Sequence, residues 1–259
     1  MFDIRKDWGD FPSEEDKIAF LSFIVEKPSL AHFPNEIARL SSLKALQIPV
    51  QFLPLSEEQL PKHLISLTLD NLSREEEQAD KHYSWNPLVK MENLECLRIL
   101  GDDNGDLLGI SPEVAPNLKW IEVELFNPNT IHIIKEFKCL KAAILGEVGN
   151  VDVFEHLKHL NLKIVCAKSP KKGFDYTKIS YFKGLEIVRL FSIKEEIDCA
   201  MFLQFPHLKE LLLHQCKKLK NVEVFLEMPV LKSLYIEDAK GVSKELKASL
   251  KEHIPQCEV

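Results

Sequence analysis

A short apolar pattern recurs along the chain at nearly constant spacing. Its unit is a Leu with an apolar residue three before it, another three after it, and one more two residues beyond that. The first copies are Leu40, Leu43, Leu46 and Ile48, then Leu64, Leu67 and Leu69 led by Pro61 in place of an apolar residue, then Met91, Leu94, Leu97 and Ile99. Ala115, Leu118, Ile121 and Val123 follow, and after them Phe137, Leu140, Ala143 and Leu145. Phe154, Leu157, Leu160 and Leu162 are read as a sixth copy, Phe182, Leu185, Val188 and Leu190 as a seventh, Phe205, Leu208, Leu211 and Leu213 as an eighth, and Met228, Leu231, Leu234 and Ile236 as a ninth. The anchor leucines 43, 64, 94, 118, 140, 157, 185, 208 and 231 are 21, 30, 24, 22, 17, 28, 23 and 23 residues apart, with a mean of 23.5. Leucine supplies 38 of 259 residues, but at this chain's apolar frequencies chance would give only about two such matches and no regular spacing.

The Leu-x-x-Leu-x-Leu unit at this period resembles the leucine-rich repeat family, over roughly residues 33 to 240. The stretch from Phe33 through Pro34, Ile37, Leu40 and Leu43 to Leu46 is similar to that family's L-P-x-x-I-x-x-L-x-x-L-x-x-L unit, and Leu208 to Leu219, with Cys216 in place, resembles its cysteine variant. The resemblance implies an α/β fold: a leucine-rich repeat solenoid, or horseshoe, with a curved parallel β-sheet of about nine strands and helical caps at both ends. One departure concerns the position separated from the last apolar strand residue by two others, where the family usually places Asn or Cys to bond the turn backbone. Leu72, Phe126, Val148, Val165, Ile193 and Ala239 stand there instead, so buried turn amides must find other partners. Side chains alternate faces along a strand, so the fourth and sixth positions of the unit enter the core while the third, fifth and seventh point outward.

An open stack needs its ends covered. Ser13 and Asp16 precede a stretch at about 14–26 in which Ile18, Leu21, Ile24 and Val25 recur at helical spacing before Pro28. Ser243 precedes Leu246, Leu250 and Ile254, the stripe of a second amphipathic helix, and Ile254 to Val259 resembles a closing turn and strand. The expected organisation is an amino-terminal helical cap and half-repeat at 1–39, a solenoid at 40–241 and a carboxy-terminal cap at 242–259, together one complete domain. Two repeats are long. Residues 73–87 form a charged insertion with Arg74, Glu75, Glu76, Glu77, Asp80, Lys81, His82 and Trp85, and residues 167–181 a basic loop with Lys168, Lys171, Lys172, Gly173 and Lys178. Both read either as solvated loops or as additions to a binding surface.

Lys and Arg number 33 against 40 Asp and Glu, a formal charge of −7, which repels a phosphate backbone on average and leaves nucleic acid only that basic loop. The start Met1-Phe2-Asp3-Ile4-Arg5-Lys6-Asp7-Trp8 lacks the pattern of a secretion signal, and no run approaches the roughly 18 apolar residues of a membrane span. A cytoplasmic monomer with no membrane contact is expected, its six scattered cysteines reduced and mostly buried.

No Gly-rich phosphate loop, HExxH, GxSxG or kinase signature occurs. Asp102, Asn104, Asp106 and Glu113 match positions 1, 3, 5 and 12 of a calcium loop, but Leu107 replaces the required Gly. His156 and His159, with His132, invite a metal site, and Cys96 a reactive thiol, without a supporting register or an assignable base. No metal, cofactor or catalytic group is expected. The outward positions carry more. From the fourth repeat onward they hold Trp120, Glu122, Glu124; Ala142, Ile144, Gly146; His159, Asn161, Lys163; Ile187, Arg189, Phe191; Glu210, Leu212, His214; and Ser233, Tyr235, Glu237. Aromatic and Arg anchors dominate interface energetics, so the expected function is a non-enzymatic scaffold binding a protein partner on this concave face. The candidate residues are Trp120, Glu122, Glu124, Ile144, His159, Lys163, Ile187, Arg189, Phe191, Glu210, Leu212 and Tyr235. A cytosolic inhibitor, such as a bacterial immunity protein neutralising a toxin, is the narrower alternative; a metal- or thiol-dependent enzyme is the competing class, and scattered surface hydrophobes without a task would explain the same composition.

Overall fold

The computed structural model describes residues 20–22, 33, 35–61, 63–71, 83–102, 105–126, 128–148, 152–168, 174–216, 218–237 and 242–259. In chain order its elements are β1 (Phe20–Ser22), β2 (Ala45–Pro49), β3 (Ser66–Asp70), β4 (Cys96–Leu100), β5 (Trp120–Phe126), α1 (Pro128–Ile134), β6 (Ala142–Val148), α2 (Val153–Leu157), β7 (Ile164–Lys168), β8 (Ile187–Phe191), β9 (Ile197–Asp198), β10 (Glu210–His214), β11 (Leu219–Lys220), β12 (Ser233–Ile236), α3 (Lys244–His253) and β13 (Gln256–Glu258). Short 3-10 turns supply most of the returns between strands. The chain divides into two units, residues 1–124 with 136–139, and residues 125–135 with 140–259.

In the first unit the strand order is β1-β2-β3-β4-β5, and every pair is parallel. Leu46, Leu67, Leu97 and Ile121 stand side by side, as do Ile48, Leu69, Ile99 and Val123, and all eight are at most 1% exposed. The second unit repeats the arrangement in the order β6-β7-β8-β10-β12-β13, again parallel throughout. Its inner row runs Ala143, Val165, Val188, Leu211 and Leu234. Parallel neighbours require a crossover between strands, and the 20-odd residues of each repeat provide it. One strand per repeat, laid in parallel register with the leucines inward, is the leucine-rich repeat fold. At roughly 1.5–3 kcal/mol per buried large aliphatic side chain, these rows supply most of the gross driving force.

The sixth strand lies where the sequence pattern does not put it. Leu157 ends α2 and Leu160 bonds back to it, N to O at 2.9 Å, closing the turn that Phe182 and Leu185 close in the next repeat. The backbone then runs on before pairing, so that Ile164, not His159, aligns with Ala142 and Ile187. In strand register the anchor is therefore Leu162, and the spacings on either side become 22 and 23 in place of 17 and 28. The pattern misled because the position three before Leu162 holds His159, which is exposed, whereas Leu157, Leu160 and Leu162 mimic a full unit while all being buried. Val165, expected at a turn, is a fully buried residue of β7.

The termini differ from expectation at one end only. Phe20–Ser22 is a strand paired to β2 through Phe20 with Ala45 and Leu21 with Leu46, so the helix expected at 14–26 does not run through these residues. Unpaired backbone groups along the edge of β2 favour a strand over helical propensity there. The remaining cap residues, 1–19 and 23–32, lie outside the described residues. At the other end Ser243 caps α3, its hydroxyl accepting from the Leu246 amide at 3.1 Å, and the helix buries Leu250. β13 then adds to β12.

The turn after β4 answers the question of the missing Asn. Asp102 stands at that position after Ile99, and its buried carboxylate accepts from the amides of Gly105 at 3.0 Å and Leu107 at 2.9 Å. Asp106 accepts from Leu108 at 2.9 Å. These bonds hold Leu107 and Leu108 at φ 54° and 52°, a left-handed conformation that costs roughly 1–2 kcal/mol per non-glycine residue. Of the carboxylates read as calcium ligands, Asp102 and Asp106 thus face backbone amides and Glu113 accepts from the Ser111 hydroxyl at 2.5 Å; Asn104 lies outside the described residues. Cys216 occupies the same position after Leu213, with its Sγ 3.6 Å from the Leu190 carbonyl oxygen. Ile193 is simply buried. Leu72 and Ala239 lie outside the described residues.

Leu211→Ala is expected to cost about 2–5 kcal/mol in urea denaturation, because its row neighbours Val188 and Leu234 cannot close the gap. Burial pushes the Asp102 carboxyl above its usual range, against the lowering effect of the Leu107 amide. A raised folded value adds stability below the unfolded value of about 3.9 and loses it as pH climbs through the folded value. The stability difference between the protein and Asp102→Asn should therefore shrink progressively as pH rises from about 4; a difference constant with pH would contradict this account of the turn.

Candidate binding face

Strand alternation fixes which side chains leave the core. In the second unit the outward residues of β8, β10 and β12 form rows set by register: Ile187 beside Glu210 and Ser233, Arg189 beside Leu212 and Tyr235, and Phe191 beside His214. The rings of Phe191 and His214 lie 5.4 Å apart at 57°, and those of His214 and Tyr235 lie 6.5 Å apart, stacked at 28°. Three consecutive strands of the sheet thus carry one aromatic row. Such pairs add roughly 0.5–1.5 kcal/mol beyond area burial and hold the rings in place before any partner arrives.

Ion pairs frame the row. Arg189 donates to Glu210 Oε1 from Nε at 2.7 Å and from Nη2 at 2.5 Å, with its side chain only 11% exposed. His214 Nδ1 pairs with Glu237, which also accepts from the Tyr235 hydroxyl at 3.1 Å. Where the strands begin, Glu186 bridges Lys163 at 3.3 Å and Lys209 at 2.6 Å; the Lys209 hydrogen bond, then Lys163, holds its carboxyl below the usual range.

Ile187, Arg189, Phe191, Glu210, Leu212 and Tyr235 are all half-buried on this face. Ile144 is outward but only 8% exposed, beside Cys166 in β7, and offers little surface. His159 and Lys163 are not on a strand: His159 is exposed with Nε2 2.9 Å from the Lys135 carbonyl oxygen, and Lys163 precedes β7. Ile164, Cys166 and Lys168 take the outward places assigned to His159, Asn161 and Lys163, because of the shifted strand. In the first unit Trp120 and Glu122 are half-buried and Glu124 is exposed; Arg98 pairs with Glu122 at 3.2 Å. The candidate set omitted His214 and Glu237, although both sit at outward positions; a polar residue between two aromatic positions on neighbouring strands was the available signal.

Groups considered for chemistry have other employment. His132 and His156 are ring neighbours at 6.3 Å, but His159 turns to a backbone carbonyl. No group of three or more His, Cys, Asp or Glu suited to a metal ion occurs among the described residues. Burial, and then Glu95, push the Cys96 thiol up, opposite to what a nucleophile needs. Cys166, Cys199 and Cys216 are buried, Cys96 and Cys257 half-buried and Cys139 exposed; burial drives Cys199 up to about 12. Trp85, expected in a solvated insertion, is 2% exposed with its indole N–H donated to Val89 O at 3.0 Å. The rest of that insertion from Arg74 to His82 lies outside the described residues. In the basic loop Lys178 pairs with Asp152, Lys168 is half-buried in β7, and Phe174, Tyr176 and Ile179 enter the core. Lys171, Lys172 and Gly173 lie outside the described residues. No helix among the described residues is long and apolar enough to cross a membrane.

Removing Arg189 and Glu210 singly and together, as Arg189→Ala and Glu210→Ala, should reveal a coupling of about 1–2 kcal/mol in a double-mutant cycle of unfolding, above the roughly 0.2–1 kcal/mol of an exposed pair.

No family model matches the sequence, and no curated protein is similar to it at a significant level. Among solved structures, an internalin (inlF) of Listeria monocytogenes is similar at 12% identity with a TM-score of 0.41, over 83% of this chain and 54% of that one. The chain therefore spans about half the length of that internalin. An internalin C2 of the same organism matches at 13% identity and a TM-score of 0.39, over 92% of this chain and 79% of that one. A leucine-rich repeat protein of Leptospira interrogans matches at 16% identity and a TM-score of 0.45, over 86% and 74%. The molecule's own repeat, with one parallel strand per repeat and two inward apolar rows, gives this chain the leucine-rich repeat fold.

Proposed function

We propose that the chain is a non-enzymatic scaffold that binds a protein partner on the outward face of its sheet, centred in the second unit on Arg189, Phe191, Leu212, His214 and Tyr235. The observation that carries this reading is the row of neighbouring rings across β8, β10 and β12, half-buried and framed by the Arg189–Glu210 ion pair and the His214–Glu237 contact. Pre-ordered aromatic side chains lose little conformational entropy when a partner covers them, so more of the contact energy appears as affinity. A solvated face with no task has no need of such rings. Chemistry on this face finds no support, since Cys166 is a buried thiol and His214 packs between Phe191 and Tyr235 and bonds Glu237.

The test is affinity capture from native cell extract, with identification of what is retained. Phe191→Asp combined with Tyr235→Asp should lose the captured partner while the chain stays folded, its melting temperature lowered by about 2–12 °C for the two ring pairs lost, since neither side chain is in the core. Undiminished capture by the double variant would contradict the outward-face reading.

A further inference from the structure

Charge is not spread evenly over the outward face of the second unit. Register sets Lys168 beside Phe191 and Arg189 beside Cys166, so the basic side chains lie toward β7 and β8. Apart from Glu147, which pairs in register with Lys168, the acidic residues lie toward the other end, with Glu210 in β10, Glu237 just after β12 and Glu258 in β13. Arg189 engages Glu210. Glu237 accepts from both His214 and Tyr235 and keeps 38% of its side chain exposed. Glu258 stands beside Tyr235 by register, is exposed, and enters no ion pair among the described residues. The stacked rings of His214 and Tyr235 therefore have two carboxylates beside them, Glu237 bonded to both and Glu258 next to Tyr235 in register.

This is an environment from which a cation gains twice. A ring face attracts a cation within about 6 Å of its centroid, and the attraction strengthens as water is excluded. The neighbouring carboxylates add direct ion pairing, which for a guanidinium can be two-pronged. An anion or an apolar segment would leave Glu258 uncompensated under the contact, at a desolvation cost. Across the chain the formal charge of −7 acts in the same sense, favouring encounter with a basic surface.

We propose that the protein partner of this face carries a basic surface and presents an arginine side chain that lies over Tyr235 and His214 and pairs with Glu237 and Glu258. Arginine is favoured over lysine because its planar guanidinium stacks on a ring while its edge still donates to carboxylates. This deepens the scaffold reading, on which it rests, by naming the chemistry of the occupant.

The test uses the full chain and two capped pentapeptides, Gly-Gly-Arg-Gly-Gly and the same peptide with citrulline, which keeps the shape but lacks the charge. Their binding is followed through the ring proton resonances of Tyr235 and His214. The arginine peptide should give saturable shifts with an affinity at least about five-fold above the citrulline peptide, weakening in about 0.5 M salt. Glu237→Gln with Glu258→Gln should bring the arginine peptide down to the citrulline level, and Tyr235→Leu, which keeps bulk but removes the ring, should do the same. The absence of saturable shifts, equal affinities for the two peptides, or an unchanged affinity in the folded Gln variant would each overturn the proposal; should that variant lose its folded spectrum, Tyr235→Leu decides alone. If the peptides fail while Phe191→Asp with Tyr235→Asp still abolishes capture of the partner, the scaffold reading stands and only the cation assignment falls. If capture survives that double variant, the scaffold reading falls, whatever the peptides show.

Discussion

Every repeat in this chain has an apolar edge that it cannot cover by itself, and the next repeat covers it. Val188 lies between Val165 and Leu211, and Leu190 between Ala167 and Leu213, each excluded from water by its neighbours in adjacent strands. The remaining architecture follows from that lateral dependence. Strands must be parallel, because each crossover returns the chain to the same end of the sheet. Returns can be short 3-10 turns because their apolar residues stack in turn: Phe154 meets Phe174 at 5.4 Å and Phe182 at 5.9 Å, and Phe202 meets Phe225 at 6.0 Å. Beyond β12 the same edge is covered by β13, which follows α3.

The alternation that sends Leu211 and Leu213 inward sends Glu210, Leu212 and His214 outward, so core and surface are written in one stretch of five residues. In-register stacking then makes neighbours of residues more than 20 apart in sequence. Arg189 reaches Glu210, and Phe191 reaches His214, only because β8 and β10 run in register. A binding surface on such a sheet is assembled by repetition without any dedicated loop, and its composition can change at the outward positions while the inward rows remain intact.

The inward rows were legible in the sequence because period and hydrophobicity agree there: eight of the nine expected strands occupy the expected places. The sixth was not, because His159 breaks the apolar pattern where Leu157 and Leu160 imitate it, and only backbone pairing distinguishes a leucine closing a turn from one opening a strand. Residues 20–22 carry helical spacing but join an open sheet edge, a tertiary preference invisible to local pattern. Asp102 shows the converse case. Its carboxylate looked like part of a calcium loop, yet its place after Ile99 is the turn-bonding position of the repeat, which counting along the repeat could have revealed. On the candidate face, the outward residues of β8, β10 and β12 were readable from alternation, whereas their mutual bonds, and the burial of Ile144, depend on lateral neighbours.

The most direct measurement of lateral stacking in register is a set of inter-strand backbone contacts in the second unit, obtained from amide and Hα proton cross-relaxation. The account requires contacts of Val165 with both Ala143 and Val188, in the sense of parallel strands, with Leu160 outside the row. Antiparallel contacts between these segments, or Leu160 in the place of Val165, would contradict it.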